Sequence, residues 1–364
     1  MSQPIRLLHL LSRGADFQTR RTHDLLLREA GGEFDSQSKT IGRDGDFRST
    51  AIAAVRLRGG DAQIVHAWGQ SALTAAVFAG VKSILYSPDV SMDNRAIGWA
   101  RAVMGYRDVQ MVCASAVQQR LAVRRGVPST RCHLIRPAVE FARLGGRRNE
   151  EVRESLGLAK DDFVLLAPGE SVRAARHEMA VWTCGILNVL DSRCKVLLWG
   201  GGDGIGAALG VWRGLKLPSM LKVARQTLSD FVEFEKLATA ADACLVTADW
   251  AAPTLPIAIC MAAALPIVSV TNYTTAELLE DRHTALMTAK PSARQLAQRV
   301  QDLQADSTLA WSIADMARTE AYEYFSASRL LDQYRTVYRQ MADEQPVAIP
   351  QMAAGAGLRF HGRA

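Results

Sequence analysis

The feature that most constrains the fold is a regular alternation of short apolar runs with amphipathic stretches along the 364 residues. Strand-like runs such as IRLLHLL (5–11) and AQIVHAW (62–68) alternate with helix-like stretches such as TRRTHDLLLREAGG (19–32). A charged stretch with paired glycines interrupts the rhythm at 142–160, and the alternation restarts with DFVLLAPG (162–169). Repeated β-α-β order predicts parallel strands covered by helices on both faces. We therefore expect an α/β chain of two tandem, doubly wound, Rossmann-like domains.

The same pattern predicts the domain boundaries. A first domain is expected over residues 1–145 and a second over 146–327. The amphipathic segment 328–344 is expected to form a helix that crosses back onto the first domain, and the Pro/Gly/Ala-rich tail 345–364 to be flexible. Two such domains place a cleft between them at the carboxyl ends of their strands, where ligands bind in open α/β sheets.

Composition narrows the function classes. Hydrophobic residues make up 48% of the chain and charged residues 22%, which is typical of globular proteins. No apolar run reaches the roughly 18–20 residues of a membrane helix. The six cysteines lie without CxxC spacing, which favours reduced thiols over disulfides or a zinc site. We predict a cytoplasmic protein without a zinc site, and a peripheral position at the inner membrane face stays open.

Positive charge is concentrated in the first half of the chain. Residues 1–145 hold 20 Lys and Arg against 12 Asp and Glu, a net charge of +8, within an overall net charge of +6. A basic half fits nucleic acid, anionic lipid or phosphorylated substrates, and an ordinary solvated surface is the alternative. The arginines are dispersed and no nucleic-acid-binding motif accompanies them. We predict weak contact with anionic membranes and no nucleic-acid partner.

Five motifs follow one another along the chain: DAQIVHAWG (61–69), VCASAVQQRLAVRRG (112–126), LLAPGESVRAARH (165–177), LLWGGGDG (197–204) and the block 237–288. Their order and spacing resemble the GT-B glycosyltransferases of the large retaining family 4, over nearly all of residues 1–342. The resemblance implies transfer of a sugar from a nucleotide-sugar to a saccharide or lipid-linked acceptor. It also implies retention of configuration, with neither a metal nor a cofactor besides the donor substrate.

The resemblance also assigns donor-binding candidates in two loops. Gly169, Arg173 and Arg176 lie in the loop that opens the second domain, and Gly201 lies in the glycine turn. A guanidinium group binds phosphate with two hydrogen bonds, and glycine lets the backbone approach a ligand closely. Solvated loop charge is the alternative for both arginines, and Glu170 stands where the family has an arginine.

Three further candidates are assigned in the same way. Asp89 occupies the place of a family histidine and is the catalytic candidate, as a base that orients the acceptor, although it can equally cap the next helix. His66 ends a strand and is the acceptor-side candidate, although such a histidine is often satisfied by backbone. Glu277 matches a family glutamate at a helix start and is a donor-binding candidate, with helix capping as the alternative.

The two donor-site glutamates of the family are missing. The segment AAPTLPIAICMAAALP (251–266) aligns without a gap, and Ala251 and Ile259 stand at their positions. A carboxylate accepts two hydrogen bonds from a sugar diol, whereas Ala and Ile accept none. We therefore expect Ile259 to be buried in a core helix. An active glycosyltransferase with an altered donor site is the first hypothesis, and an inactive GT-B pseudoenzyme that acts as a binding or regulatory scaffold is the second. A sugar-nucleotide epimerase has no sequence feature in its favour.

Overall fold

The computed structural model describes residues 4–29, 31–42, 45–89, 94–144, 148–224, 233–249 and 252–343. Within these ranges the chain forms two six-stranded sheets in which every strand pair is parallel. No helix in the described part has the length and apolar character needed to cross a membrane.

The first sheet is built from the first third of the chain. Its strands are β1 (Ile5–Ser12), β2 (Phe34–Ile41), β3 (Ile64–Trp68), β4 (Ser83–Ser87), β5 (Asp108–Cys113) and β6 (Cys132–Leu134). Its helices are α1 (Phe17–Arg28), α2 (Phe47–Leu57), α3 (Gln70–Ala79), α4 (Asn94–Met104) and α5 (Ala116–Arg124). The strand order is β2-β1-β3-β4-β5-β6, so the direction of winding reverses between β1 and β3.

The second sheet follows with β7 (Phe163–Ala167), β8 (Cys194–Leu198), β9 (Leu221–Val223), β10 (Ala243–Val246), β11 (Ile267–Val270) and β12 (Leu286–Thr288). Its helices are α6 (Glu150–Ser155), α7 (His177–Leu190), α8 (Ile205–Leu215), α9 (Phe234–Ala240), α10 (Thr254–Ala262), α11 (Thr275–Leu278), α12 (Ala293–Ala305) and α13 (Ser307–Tyr324). The order β12-β11-β10-β7-β8-β9 reverses between β7 and β10. The predicted pair of doubly wound parallel sheets is confirmed, and each reversal is a place where such sheets bind ligands.

The final helix, α14 (Ala327–Asp343), packs against the first sheet although it follows the second in sequence. Its apolar side chains Leu330, Tyr334 and Tyr338 are buried with Leu7 and Ile64 of that sheet. The helix thereby joins the end of the chain to its beginning. The domain boundary near residue 145 stays a prediction, because residues 145–147 lie outside the described residues, as does the tail 345–364.

Helix α10 explains why the segment around Ile259 has no polar side chains. Each of its nine residues is buried, and Ile259 is 1% exposed within the core of the second sheet. The expectation that Ile259 is an ordinary core residue is confirmed. Ala251 lies outside the described residues.

A buried arginine fixes α6 to the second sheet. The Arg153 side chain has no exposed surface, and its Nη1 donates to the carbonyl of Ala240 at 2.9 Å and to Asp242 Oδ2 at 3.2 Å. Its Nη2 donates to the carbonyls of Asp162 at 2.7 Å and Ala159 at 3.1 Å. One side chain therefore satisfies four acceptors where α6 meets the sheet.

Candidate functional site

Two of the candidate glycines lie in loops that pack against each other at the carboxyl end of the second sheet. Gly169 follows β7 with a φ of +84°, and the turn containing Gly201 follows β8. The Ser171 amide donates to the Gly201 carbonyl at 3.0 Å, and the Gly204 amide donates to the Ser171 carbonyl at 2.7 Å. A Cβ at Gly202 would lie 2.6 Å from the Ser171 carbonyl oxygen. Gly202 is therefore needed for loop packing whether or not a ligand binds, and Gly201, with a φ of +77°, has a backbone conformation that favours glycine.

Arg176 lies at the reversal between β7 and β10 and is held by two carboxylates. Its Nη1 donates to Asp249 Oδ2 at 2.5 Å and its Nε donates to Glu178 Oε1 at 3.1 Å. The hydrogen bond to Asp249 is the largest effect that raises the pKa of this guanidinium. The Arg176 side chain is 33% exposed, so it stands at the wall of the site and can be reached from solvent.

Arg173 lies further out and is 85% exposed. Its Nε is 3.4 Å from Asp203 Oδ2, and its backbone amide donates to Asp203 Oδ1 at 3.1 Å. The two candidate arginines therefore face three carboxylates, those of Glu178, Asp203 and Asp249. An incoming phosphate has to replace these partners, which weakens anion binding relative to unpaired guanidinium groups.

Glu277 connects the two sheets. Its carboxylate accepts hydrogen bonds from the amides of Ala116 at 2.9 Å and Val117 at 3.1 Å, at the start of α5. It also accepts from Arg136 Nη2 at 2.9 Å. The Glu277 side chain is 7% exposed. A carboxylate at a helix N-terminus satisfies unpaired amides and the positive end of the helix dipole, so Glu277 caps a helix of the first sheet.

Asp89 also lies near the N-terminal end of α5. It follows β4 at the carboxyl edge of the first sheet, and its carbonyl accepts a hydrogen bond from Gln118 Nε2 of α5 at 3.0 Å. The described part of the next helix begins at Asn94, five residues on. The structure thus gathers Asp89 and Glu277 around the start of α5, and it gathers Gly169, Arg173, Arg176 and Gly201 around the end of β7.

His66 lies apart from both groups and beneath α14. Its side chain is fully buried, with Nδ1 2.7 Å from Tyr338 Oη and Nε2 2.8 Å from Ser87 Oγ. Burial is the largest effect that lowers the pKa of His66 well below its ordinary value, followed by repulsion from His9. Both ring nitrogens of His66 have partners, and its side chain has no exposed surface. In this geometry His66 packs inside the protein and does not contact an acceptor sugar.

Contacts from the start of α1 to the second sheet were not expected from the sequence. The Phe17 ring packs edge-on against Trp199 at a centroid distance of 4.8 Å and lies 6.0 Å from Phe234. Gln18 Oε1 accepts a hydrogen bond from the Leu255 amide at 2.9 Å, in the first turn of α10. Amides at a helix N-terminus are common sites for anions, and here a side chain of the first sheet's half occupies one of them. The only sign of these contacts in the sequence is that the apolar Phe17 directly follows Asp16, the residue that caps α1.

A cavity of about 920 Å³ lies beside Glu277. Its lining includes Arg136 of the first half together with Glu280, Glu320 and Tyr324 of the second. Burial is the largest effect that raises the pKa of the Glu320 carboxyl. The size and the mixture of apolar walls with a few charged groups are those of a small-molecule site. Of the site residues predicted from the sequence, Glu277 is the one that lines this cavity. The described residues contain no group of three or more His, Cys, Asp or Glu side chains placed to hold a metal ion.

Comparison with models of protein families found no match, and comparison with curated protein sequences found none either. Solved structures do match. HepE from Anabaena, in complex with UDP and glucose, superposes with a TM-score of 0.75 at 15% identity, covering 92% of this chain and 100% of HepE. A glycosyltransferase from Rickettsia africae gives 0.72 at 14% identity, covering 94% and 100%. Sucrose-phosphate synthase from Thermosynechococcus elongatus gives 0.74 at 16% identity, covering 92% and 98%. The chain therefore has the GT-B glycosyltransferase fold.

Proposed function

We propose that this chain transfers a sugar from a nucleotide-sugar to a saccharide or lipid-linked acceptor. The observation that carries the proposal is the position of the Gly169–Arg176 loop, which places a partly exposed guanidinium at the winding reversal of the second sheet. The HepE structures with UDP and glucose and with UDP-glucose lend support, because they have the same fold. Retention, independence of metal and membership of family 4 rest on the sequence resemblance.

In this proposal Arg176 exchanges Asp249 for the donor diphosphate, and Arg173 leaves Asp203 to assist it. The bond between the anomeric carbon and the phosphate oxygen breaks, and a bond to the acceptor oxygen forms on the same face of the sugar. Asp89 orients the acceptor hydroxyl and takes its proton, and the nucleoside diphosphate leaves carrying the electron pair. Asp89, at the edge of the first sheet, thus acts on the acceptor, and Arg173 and Arg176, in a loop of the second sheet, hold the donor.

A second candidate function is that of a catalytically inactive GT-B pseudoenzyme, which has lost its donor chemistry. It is favoured by the burial of Ile259, which leaves the donor ribose without the carboxylate found in the resembling family. The hydrogen bond between Gln18 and the Leu255 amide favours it as well, because it fills a helix N-terminus with a side chain. In this case the protein acts as a binding or regulatory scaffold.

Calorimetric titration with UDP-, GDP-, ADP- and dTDP-sugars, followed by a transfer assay with the donor that binds, separates the two functions. Arg176→Ala is expected to weaken binding about 10- to 100-fold, the effect of losing one charge-assisted hydrogen bond. Arg294→Ala, an exposed arginine at the start of α12, is the matched control and should leave binding unchanged. Binding with turnover would support the enzyme and exclude the scaffold, whereas binding without turnover, or no binding at millimolar concentration, would reject the enzyme in favour of the scaffold.

A membrane-bound acceptor is supported by the outer face of α2. Phe47 is 71% exposed and Val55 64% exposed, and the exposed Arg48, Arg56 and Arg58 flank them. Apolar side chains beside basic ones suit an anionic lipid surface, where each arginine contributes about 1 kcal/mol. On this basis we propose weak, salt-sensitive contact with the cytoplasmic face of a membrane. Vesicle co-sedimentation of the Arg48→Gln/Arg56→Gln variant against wild type tests it, and equal binding would contradict it.

A further inference from the structure

Helix α7 of the second sheet's half has an apolar outer face. Every exposed residue between 181 and 190 is apolar: Trp182 at 50% exposure, Ile186 at 36%, Val189 at 78% and Leu190 at 66%. The acidic and basic residues among the fourteen of α7 are its first two, His177 and Glu178. A helix on the surface of a globular protein normally turns polar residues to water, and one that is apolar all round is normally covered.

The neighbouring helix α8 has glycines where α7 has large side chains. Gly206, Gly210 and Gly214 recur every four residues and are exposed. A Cβ added at any of the three would meet no atom of the described residues within 4 Å, so packing against that part of the chain does not require glycine there. Each glycine costs a helix about 1 kcal/mol relative to alanine. A row of small residues is what allows a second helix to approach closely.

The two helices form one continuous surface, which we name the α7–α8 face: Trp182, Ile186, Val189 and Leu190 together with Gly206, Gly210 and Gly214. Strands β7, β8 and β9 are adjacent and follow one another in order, so their right-handed connections α7 and α8 lie on the same side of the sheet. The two helices touch where a Cβ at Gly185 would lie 2.8 Å from Leu215 Cδ1. A ridge of large side chains therefore runs beside a shallow glycine groove.

We propose that the α7–α8 face binds a second copy of this chain through a twofold axis. A twofold interface brings the same patch of both copies together, so the ridge of each copy can enter the glycine groove of the other. The four ridge side chains expose roughly 500 Å² of apolar surface, in the range of functional patches. A stable complex buries about 800 Å² per partner, so the interface has to include the exposed residues of α8 as well.

A lipid surface fits this face less well than a second copy does. The basic residues of this face are Arg213 and the exposed Lys216 that ends α8, against three arginines on α2, so the attraction to anionic lipid is weaker here. A row of glycines gives lipid chains no additional contact, whereas it lets a second helix pack closely. The proposal does not depend on sugar transfer, because the face lies on helices whose outer sides are away from the carboxyl ends of the strands.

The test is the molar mass in solution, by light scattering and sedimentation between 1 and 100 µM. Wild type is expected to be a dimer in this range. Val189→Asp puts a charge on the ridge, and Gly210→Leu fills the groove with a better helix former, so both are expected to be monomers with the second at least as thermally stable as wild type. Phe78→Asp, which changes an exposed apolar residue of α3, is the matched control and should remain a dimer.

Two outcomes would overturn the proposal. One is a wild-type chain that is monomeric at 100 µM, and the other is a dimer that persists in both variants. A monomer that binds neutral phosphatidylcholine vesicles and loses that binding in Val189→Asp would assign the face to lipid instead.

Discussion

The carboxylate of Glu277 lies 2.9 Å from Nη2 of Arg136, and the two residues come from opposite halves of the chain, 141 positions apart. Because the same carboxylate accepts the first two amides of α5, one side chain both caps a helix and joins the two sheets. The Glu277 side chain is 7% exposed and that of Arg136 26% exposed, so breaking this partly buried pair costs less than the roughly 3–5 kcal/mol of a fully buried one.

Glu277→Ala is therefore expected to weaken the contact between the halves and to lower the free energy of unfolding by up to that amount. Urea denaturation gives the stability, and small-angle X-ray scattering gives the radius of gyration, which should rise as the halves separate. Glu29→Gln, at a surface pair with Arg28, is the control and should change neither measurement. An unchanged radius of gyration and stability in Glu277→Ala would show that the contact does not hold the halves together.

Asp249 restrains the guanidinium that we assign to the donor phosphates. Asp249→Asn removes the negative charge beside Arg176 while keeping the side-chain shape, so nucleoside diphosphate should bind about 3- to 10-fold more tightly. Asp203→Asn should have a smaller effect, because its pair with Arg173 is exposed and screened by solvent. Calorimetric titration with UDP and GDP measures both. Weaker binding in Asp249→Asn would mean that Asp249 contacts the ligand itself.

Arg153 is expected to be one of the most sensitive positions for stability. Arg153→Met keeps the length of the side chain but removes the donor to the buried carbonyls of Ala240 and Asp162 and the cation beside Asp242, for a loss of about 3–5 kcal/mol. Arg193→Met is the comparison, since Arg193 is exposed and pairs with Asp191 within one turn, and should cost less than about 1 kcal/mol. Equal losses in the two variants, measured by urea denaturation, would refute this account.

Stability should fall below neutral pH because of buried histidines. Burial is the largest effect that lowers the pKa of His9 to about 3 and of His177 to about 4, from an ordinary value of 6.5. Between those values and 6.5 the unfolded chain binds more protons than the folded chain, so stability is complete above pH 6.5 and declines as the pH falls. Each histidine should remove about 2 kcal/mol at pH 5.

The measurement is the free energy of unfolding at pH 7.5 and at pH 5 for wild type, His177→Asn and His283→Asn. His177→Asn should show a smaller decrease between the two pH values than wild type. His283 is exposed, so His283→Asn should show the wild-type decrease. A decrease in His177→Asn equal to that of wild type would exclude His177 as a source of the acid sensitivity.

The sequence predicts those parts of the molecule that local pattern determines. Alternating apolar runs and amphipathic stretches are enough to predict two parallel sheets, and an uninterrupted apolar run around Ile259 is enough to predict a buried helix. These features depend on neighbours within about twenty residues along the chain.

Contacts between distant residues could not be predicted in this way. His66 was a candidate for the cleft because it ends a strand, but Tyr338, 272 positions later, covers it. The pattern of α14 predicts that its apolar face is buried and does not specify which side chains lie beneath it. In the same way, Gln18 and Glu277 carry no local signal that each accepts hydrogen bonds from amides of the opposite half.

The ring of Phe17 between Trp199 and Phe234 has a kinetic consequence. If a ligand enters between the two halves, the ring has to leave an aromatic cluster in which it is 9% exposed, and that movement brings apolar surface into water. Observed rates of ligand capture would then level off at high ligand concentration, at a ceiling fixed by this withdrawal rather than by diffusion. Because Trp199 is buried and contacts the Phe17 ring, its fluorescence should change at each withdrawal, and replacing the other six tryptophans isolates that signal.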